Sequence, residues 1–401
     1  MAFRVPPITA LVLPLALVVC LVLPDRALAQ DSRTGEIEAQ QADKAAHLAP
    51  PTETRPEQIL ERVQGFLSGA PVGLIPEFGS IYSGGGFTLG AGYQRFLGDQ
   101  TTWVARGFYS IRNYKLFDIA VNSPGHAHGR VDYTVKAGWR DATQVGYYGL
   151  GQDTSVDDRA NFRFNETFAG GEMRARAPGY LFGGGSVYYQ DFRERPGQGS
   201  APPIEDEYTP VTAPGLGTNP SYLHSIVYGG MDWRPSPGYA RSGGFYEVRY
   251  HNFGGVDHTP TFDRLDTEVI QHIPILRETW VLSLRGRMQT TLDGDVPYLL
   301  MPSLGSGSTL RAYHSQRFRD LHSLLLQGEW RWFPNRLGMD VAVFYDAGKV
   351  AAERRNLDFH GMAHDVGVGI RLHALAVTPL RIEVAKGSDG WNVIWSGSHA
   401  F

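Results

Sequence analysis

Over most of the chain, apolar and polar residues alternate one by one. Val366, Val368, Ile370 and Leu372 alternate with Asp365, Gly367, Gly369, Arg371 and His373. Leu380, Ile382 and Val384 flank Arg381 and Glu383, and Tyr246, Val248 and Tyr250 alternate with Glu247, Arg249 and His251. Leu282, Leu284 and Met288 alternate with Ser283, Arg285, Arg287 and Gln289, and Trp330 and Trp332 with Glu329 and Arg331. A period of two marks a strand with one apolar and one polar face. Strands of soluble sandwiches usually run about 5–6 residues. The runs here are nearer ten, the length that crosses a bilayer when tilted. They fall at about 87–96, 101–111, 113–121, 131–140, 161–168, 171–177, 180–192, 222–233, 244–254, 262–272, 279–289, 322–333, 339–347, 363–373, 379–387 and 391–401. That makes about sixteen, an even number, as single-chain bacterial barrels require. Residues 72–82 are also compatible with a strand, and 161–177 with one strand or two. The expected fold is all-β: a transmembrane antiparallel β-barrel over residues 71–401.

The start of the chain reads differently. Arg4, an apolar run from Ile8 to Leu23 and the ending Ala27-Leu28-Ala29 have the layout of a secretory signal peptide, residues 1–29, with cleavage expected after Ala29. The run is short and interrupted by proline, a poor membrane span. Cys20, the one cysteine, leaves with it. Residues 30–70 are expected to be a flexible periplasmic leader, polar at first. The leader ends in a short amphipathic helix carrying Ile59, Leu60, Val63, Phe66 and Leu67. No later stretch approaches 18 apolar residues, so a membrane form must be a barrel.

Connectors fit the same picture. Residues 334–338 and 388–390 are tight turns, whereas 193–221 and 290–321 are long and rich in Pro and Gly. Short turns at one end and long loops at the other are the habit of outer-membrane barrels. Under the strand count above, the long connector 141–160 falls at the short-turn end, against that habit. The last strand places Trp391, Val393, Trp395 and Phe401 on one face. A terminal Phe on a terminal amphipathic strand resembles the assembly signal of bacterial outer-membrane barrels.

The connector before 322 holds Leu310-Arg311-Ala312-Tyr313, the next strand holds Glu329, and the one after holds Asp346. Here the chain resembles the BamA/TamA family of outer-membrane insertase and translocase barrels, also called the bacterial surface antigen family. In that family the sixth outside loop folds back into the lumen and carries Val/Ile-Arg-Gly-Phe/Tyr. Leu310-Arg311-Ala312-Tyr313 matches with Ala in place of Gly, and five strands follow, as in the family. Tyr147-Tyr148-Gly149-Leu150-Gly151-Gln152-Asp153-Thr154 also looks like a family signature. Period-two phasing puts Glu329 and Asp346 on the polar face of adjacent strands. The residues alone leave two arrangements open: Arg311 solvated in its loop, or paired with these acids. The resemblance implies the second, a loop lock with Arg371 as a nearby lumen charge. Removing one partner of such a shielded pair costs about 3–5 kcal/mol. The resemblance also implies a role in outer-membrane protein assembly or translocation. Expected partners are outer-membrane lipids, the barrel assembly machinery and an unfolded protein substrate. Family members carry POTRA domains, for which residues 30–70 leave no room, so a separate periplasmic partner or loss of the assembly role is expected.

Composition narrows the alternatives. Lys and Arg number 37 against 41 Asp and Glu, for a net charge of −4, so no basic excess attracts nucleic acid. A hydrophobic share of 42% is too low for a helical membrane bundle. No catalytic residue, cofactor or metal is expected. His126 and His128, and His360 and His364, lack the further ligands zinc needs. Asp153, Ser155, Asp157 and Asp158 lack the Gly and closing acid of a calcium loop. Gly149-Leu150-Gly151 and Gly305-Ser306-Gly307 do not join a strand to a helix and are not nucleotide loops. Ser283, His251 and Glu247 form the kind of Ser/His/acid set that any polar-walled barrel offers by chance. The competing readings are a passive porin-like channel or structural barrel, and a barrel lipid hydrolase.

Overall fold

The computed structural model describes residues 72–276, 279–334, 338–374, 377–396 and 401. The expected signal peptide, leader and amphipathic helix lie outside these residues. The strands are β1 (Gly73–Gly79), β2 (Thr88–Leu97), β3 (Thr101–Ser110), β4 (Lys115–Gly125), β5 (Val131–Tyr147), β6 (Ala160–Arg176), β7 (Leu181–Pro196), β8 (Ser221–Asp232), β9 (Gly243–Val256), β10 (Phe262–Ile275), β11 (Trp280–Gly294), β12 (Ser303–Leu304), β13 (Phe318–Arg319), β14 (His322–Trp332), β15 (Met339–Ala351), β16 (Ala363–Ala374), β17 (Val377–Gly387) and β18 (Gly390–Ser396). All except β12 and β13 form one sixteen-stranded antiparallel sheet, in which each strand pairs with the next in sequence. No helix among the described residues is long and apolar enough to cross a membrane.

The alternation sorts the two faces of this sheet. On β16, Val366, Val368 and Ile370 are exposed, while Asp365, Gly369 and Arg371 are buried. On β14, Trp330 and Trp332 are exposed, while Gln327, Glu329 and Arg331 are buried. A sheet with apolar residues outside and charges inside suits a bilayer around it and a polar lumen within.

Two expectations about the early strands are corrected, and the corrections offset each other in the count. The runs 161–168 and 171–177 are one strand, β6. Its Gly170 and Gly171 interrupt the hydrophobic pattern but not the ladders to β5 and β7. Residues 73–79 supply the missing strand, paired with β2. With β6 whole, connector 148–159 moves to the same end as the long connectors 197–220 and 295–321, which removes the misplaced loop.

Those long connectors fold inward over an apolar cluster that includes Tyr147, Phe162, Phe164, Ile204, Phe262, Tyr298 and Met301. The Tyr147 ring meets Tyr208 edge-on at 4.7 Å and Tyr298 at 5.2 Å, and its hydroxyl donates to Thr212 O at 2.5 Å. Burial, and then the nearby Glu194 carboxylate, hold the Tyr298 phenol well above the usual tyrosine range, so it donates to Glu194. At the other end, connector 233–242 reaches across to β16 and β17. Thr378 Oγ1 donates to Gly238 O at 3.1 Å, and the Tyr239 ring stacks on His373 at 4.1 Å.

The C-terminal face needs correction as well. Trp391 and Trp395 are 71% and 67% exposed on the outer side, with Val393 beside them, but Phe401 is 6% exposed. It packs with the lumen residues Ile270 and Phe245, and the guanidinium groups of Arg285 and Arg331 lie 5.9 and 5.5 Å from its ring centre. An aromatic ring offers these cations a favourable face.

Neighbouring glycines of β6 make the packing testable. A Cβ on Gly170 would lie 2.2 Å from Val187 O and 2.6 Å from Tyr188 Cα, whereas one on Gly171 comes no nearer than 3.4 Å, to Thr134 O. Overpacking of this kind typically costs about 1–3 kcal/mol. Gly170→Ala is expected to lower the midpoint of heat-modifiable gel migration, and Gly171→Ala to leave it nearly unchanged. Equal midpoints for the two variants would contradict the β6–β7 register.

Candidate functional site

The connector between β11 and β14 enters the lumen as a stem and a tip. β12 and β13 pair to form the stem. The tip, residues 305–317, makes only local turns of its own, such as Gly305 N–H to Thr309 Oγ1 at 2.9 Å and Gln316 N–H to Gly305 O at 2.8 Å. Buried peptide groups need partners, and the barrel wall supplies them. Arg381 Nη2 donates to Gly307 O at 2.9 Å, Arg285 Nη1 to Ser308 O at 2.9 Å, and Gln327 Nε2 to Thr309 O at 2.7 Å. Asn392 Nδ2 donates to Arg311 O at 2.8 Å, and Ala312 N–H donates to Asp365 Oδ2 at 3.1 Å. These wall residues come from β11, β14, β16, β17 and β18.

Arg311 stands at the centre and is fully buried. Its Nε and Nη2 donate to the two oxygens of Asp346 at 2.6 and 2.7 Å, the bidentate fork that guanidinium and carboxylate geometry favours. Nη1 donates to Glu329 Oε1 at 2.6 Å and to Glu383 Oε1 at 3.3 Å. The Phe344 ring lies flat against the guanidinium, 3.5 Å from its carbon. Glu329 is shared further. Arg371 donates to both its oxygens at 2.8 and 2.6 Å, and Arg331 Nε to Oε2 at 2.8 Å. Arg371 also reaches Glu383 Oε1 at 2.7 Å. Arg311, Arg371, Glu329 and Glu383 each meet two or more opposite charges, and Asp346 takes the bidentate fork of Arg311, the condition under which burial is tolerated.

Glycines make the space. A Cβ on Gly348 would lie 2.7 Å from Leu304 Cδ1 and 3.3 Å from Leu310 Cδ1, and one on Gly387 would lie 3.1 Å from Ala312 Cβ. On β16, a Cβ on Gly367 would come 2.2 Å from the Phe344 ring, and one on Gly369 would come 2.5 Å from Glu383 Cγ. Leu310, Ala312 and Tyr313 then pack with Phe318, Leu325, Phe344 and Ile394 in one apolar cluster. Ala312 is not among the described residues with positive φ, so the missing glycine of the motif costs no backbone strain here. Tyr313 O–H donates to His364 O at 3.1 Å.

The structure thus brings Leu310, Arg311, Ala312, Tyr313, Glu329, Asp346 and Arg371 into one assembly. Sequence reasoning missed Glu383, Asp365, Phe344 and the residues that hold the tip carbonyls. Glu383 shares the lumen phase of Arg381 and was within reach of the same alternation argument. The segment Tyr147–Thr154 clasps the loop from the cap. Gly151 N–H donates to Arg319 O at 2.8 Å, and Arg317 Nη1 to Thr154 Oγ1 at 2.6 Å. Gly149 and Gly151 hold φ of +93° and +98°, which glycine adopts without penalty.

The other polar candidates do not converge. Ser283 Oγ meets His272 Nδ1 at 2.8 Å, His251 Nδ1 meets His224 Nε2 at 3.0 Å, and Glu247 pairs with Arg249 at 2.5 Å. His126 meets Ser123 Oγ at 2.8 Å, and His360 lies 3.6 Å from Asp358. Asp158 accepts from Ser155 N–H at 3.1 Å in a polar turn. No group of three or more His, Cys, Asp or Glu among the described residues is set to hold a metal ion.

The network ranks its own members. Glu329 accepts from three arginines, whereas loss of the Asp346 charge leaves Arg311 facing Glu329 and Glu383. Glu329→Gln is expected to lower the unfolding free energy more than Asp346→Asn, with a loss of about 3–5 kcal/mol for Glu329→Gln, measured by denaturant unfolding. Added salt changes neither loss, because buried pairs are weakly screened. The reverse order would mean that Asp346 carries the network.

No family model matches the sequence, and no curated protein matches it. Solved structures do resemble the fold. BamA from Haemophilus ducreyi lacking POTRA domains 1–3 superposes with a TM-score of 0.61 at 14% identity, covering 80% of this chain and 69% of that one. CdiB from Escherichia coli gives 0.52 at 13% identity, covering 80% of this chain and 61% of that one. The chain therefore spans less than two thirds of the CdiB length. Its sixteen-stranded sheet, with a long loop docked on the inner face, is a BamA/TamA-like outer-membrane barrel fold.

Proposed function

We propose that the protein is an outer-membrane barrel of the insertase and translocase type, acting in the assembly or translocation of other outer-membrane proteins. It would be exported by its signal peptide, be cleaved after Ala29 and sit in the bacterial outer membrane. It would work beside the barrel assembly machinery, with a periplasmic partner delivering unfolded substrate. The observation that carries the reading is the tip of the β11–β14 loop, held in the lumen by Arg311 on Glu329, Asp346 and Glu383. A wide solute pore needs a clear aqueous path. Here the tip, the connector 233–242 and Phe401 all occupy the inner side. The sheet order also ends in β1 and β18. Strand edges are templates for adding another strand, the kind of contact a nascent barrel hairpin makes. The role is non-catalytic and needs no cofactor.

The test is a survey of outer-membrane protein abundance in a deletion strain, complemented with the wild type or with Arg311→Ala. Abundance of other barrels is expected to fall on deletion and to recover with the wild type only. Arg311→Ala should also make the loop protease-sensitive. Normal abundance of every other barrel in the deletion strain would sink the assembly reading.

In planar bilayers the purified wild type is expected to show low, discrete conductance, and Arg311→Ala larger and noisier steps. A large ohmic conductance of the wild type, unchanged in the variant, would instead favour a passive channel.

A further inference from the structure

The inner side holds a substantial void apart from the Arg311 network. It measures about 310 Å³ and lies between the β1–β2 connector at Tyr82 and Ser83, the wall at Arg264, Arg287 and Gln289, and the loop tip at Ser308. That volume is at the lower end of small-ligand sites, about 300–1,000 Å³.

Its charge is lopsided. Arg264 Nε donates to Asp266 Oδ1 at 3.0 Å, and Arg287 Nη2 lies 3.5 Å from Asp266 Oδ2. Gln289 Nε2 donates to the same Oδ2 at 2.7 Å, and His251 Nε2 lies 3.8 Å from it. One carboxylate therefore faces two guanidinium groups, and it is already occupied by an amide. Arg264 spends a further donor on Leu300 O at 3.3 Å. A guanidinium carries five N–H donors. Arg287 commits one, at long range, lines the void, and keeps its side chain 33% exposed. Ser83 and Ser308 line the same space, with their hydroxyls bonded to those of Ser315 and Ser306. Donors in excess and positive charge in excess on the wall of one void describe an anion seat. A tetrahedral oxyanion matches the fork of a guanidinium with donors to spare. The wall strands β10 and β11 separate the void from the outer face, where Val269 and Leu284 are exposed. The ligand therefore comes from solution and not from a lipid headgroup.

We propose that this cavity is a binding site for a small soluble oxyanion of the phosphate class, held by Arg287 and Arg264. The site is independent of the assembly reading. It stands if that reading fails, and its own failure leaves that reading untouched.

The experiment uses the full chain, folded in detergent micelles. Inorganic phosphate is titrated against chloride at constant ionic strength, with the melting midpoint and calorimetric heat as readouts. A saturable rise in midpoint and a matching heat are expected. Arg287→Gln should weaken binding at least tenfold while the protein still migrates as a folded barrel, since Asp266 keeps Arg264 and Gln289. A second variant, Ser308→Asp, places a carboxylate in the seat. It should abolish phosphate binding without lowering the midpoint measured in chloride. The proposal is overturned if the wild type shows no saturable response, or if both variants respond as the wild type does.

Discussion

A guanidinium with no access to water must be neutralised where it lies, and the rest of this architecture follows from that demand. Arg311 is fully buried, and its partners come from β14, β15 and β17. Isolated burial of such a charge costs several kcal/mol even after relaxation. The loop can therefore stay inside only if those strands present their acids at the right height and on the inner face. Register and lock thus depend on each other. In the ladders Gln327 faces Asp346, Glu329 faces Phe344, and Gly369 faces Glu383. A slip of one residue in β15 would turn Asp346 outward and bring Val343 or Tyr345 in.

The same demand explains where the glycines fall. An Arg311 guanidinium flanked by acids and backed by a phenyl ring needs room that a fully dressed strand would not leave. Gly367 and Gly369 yield space to Phe344 and Glu383, while Gly348 and Gly387 yield it to Leu310 and Ala312. The glycine-rich strands act here as a mould for the loop, and their lost side-chain packing is offset by the packing of Leu310, Tyr313 and Phe318.

Much of this was legible in the sequence because a strand has only two faces. Alternation alone assigned Glu329, Asp346 and Arg371 inward and Trp330, Val368 and Trp395 outward. Its failures share a cause: alternation is blind wherever side chains vanish or the chain leaves the sheet. Gly170-Gly171 carry no side chain, so one strand looked like two, although the ladder to Val187 and Tyr188 runs through unbroken. Phe401 kept the parity of Trp391 and Trp395 on paper, yet it lies in no strand, where parity does not fix direction, and its ring turns in towards Arg285 and Arg331. The wall donors to Gly307, Ser308 and Thr309 were unreadable for another reason. A carbonyl has no signature in a sequence, so nothing marks Arg381, Arg285 and Gln327 as its partners.

These contacts also decide how such a barrel could change state. The tip is bound through its carbonyls and through Arg311 to strands from β11 to β18, so partial release would strand several buried polar groups at once. Small displacements are costly and graded opening is disfavoured; the loop either stays seated or leaves as a unit. The cap residues Tyr147, Tyr208 and Tyr298 tie that unit to the other long connectors, which would have to move with it. At the edges, β18 bears on the loop through Asn392 and Ile394, and β1 and β18 each have a sheet neighbour on one side only in the strand order. Addition of a strand at an edge of the sheet would break fewer of these interactions than clearing the lumen.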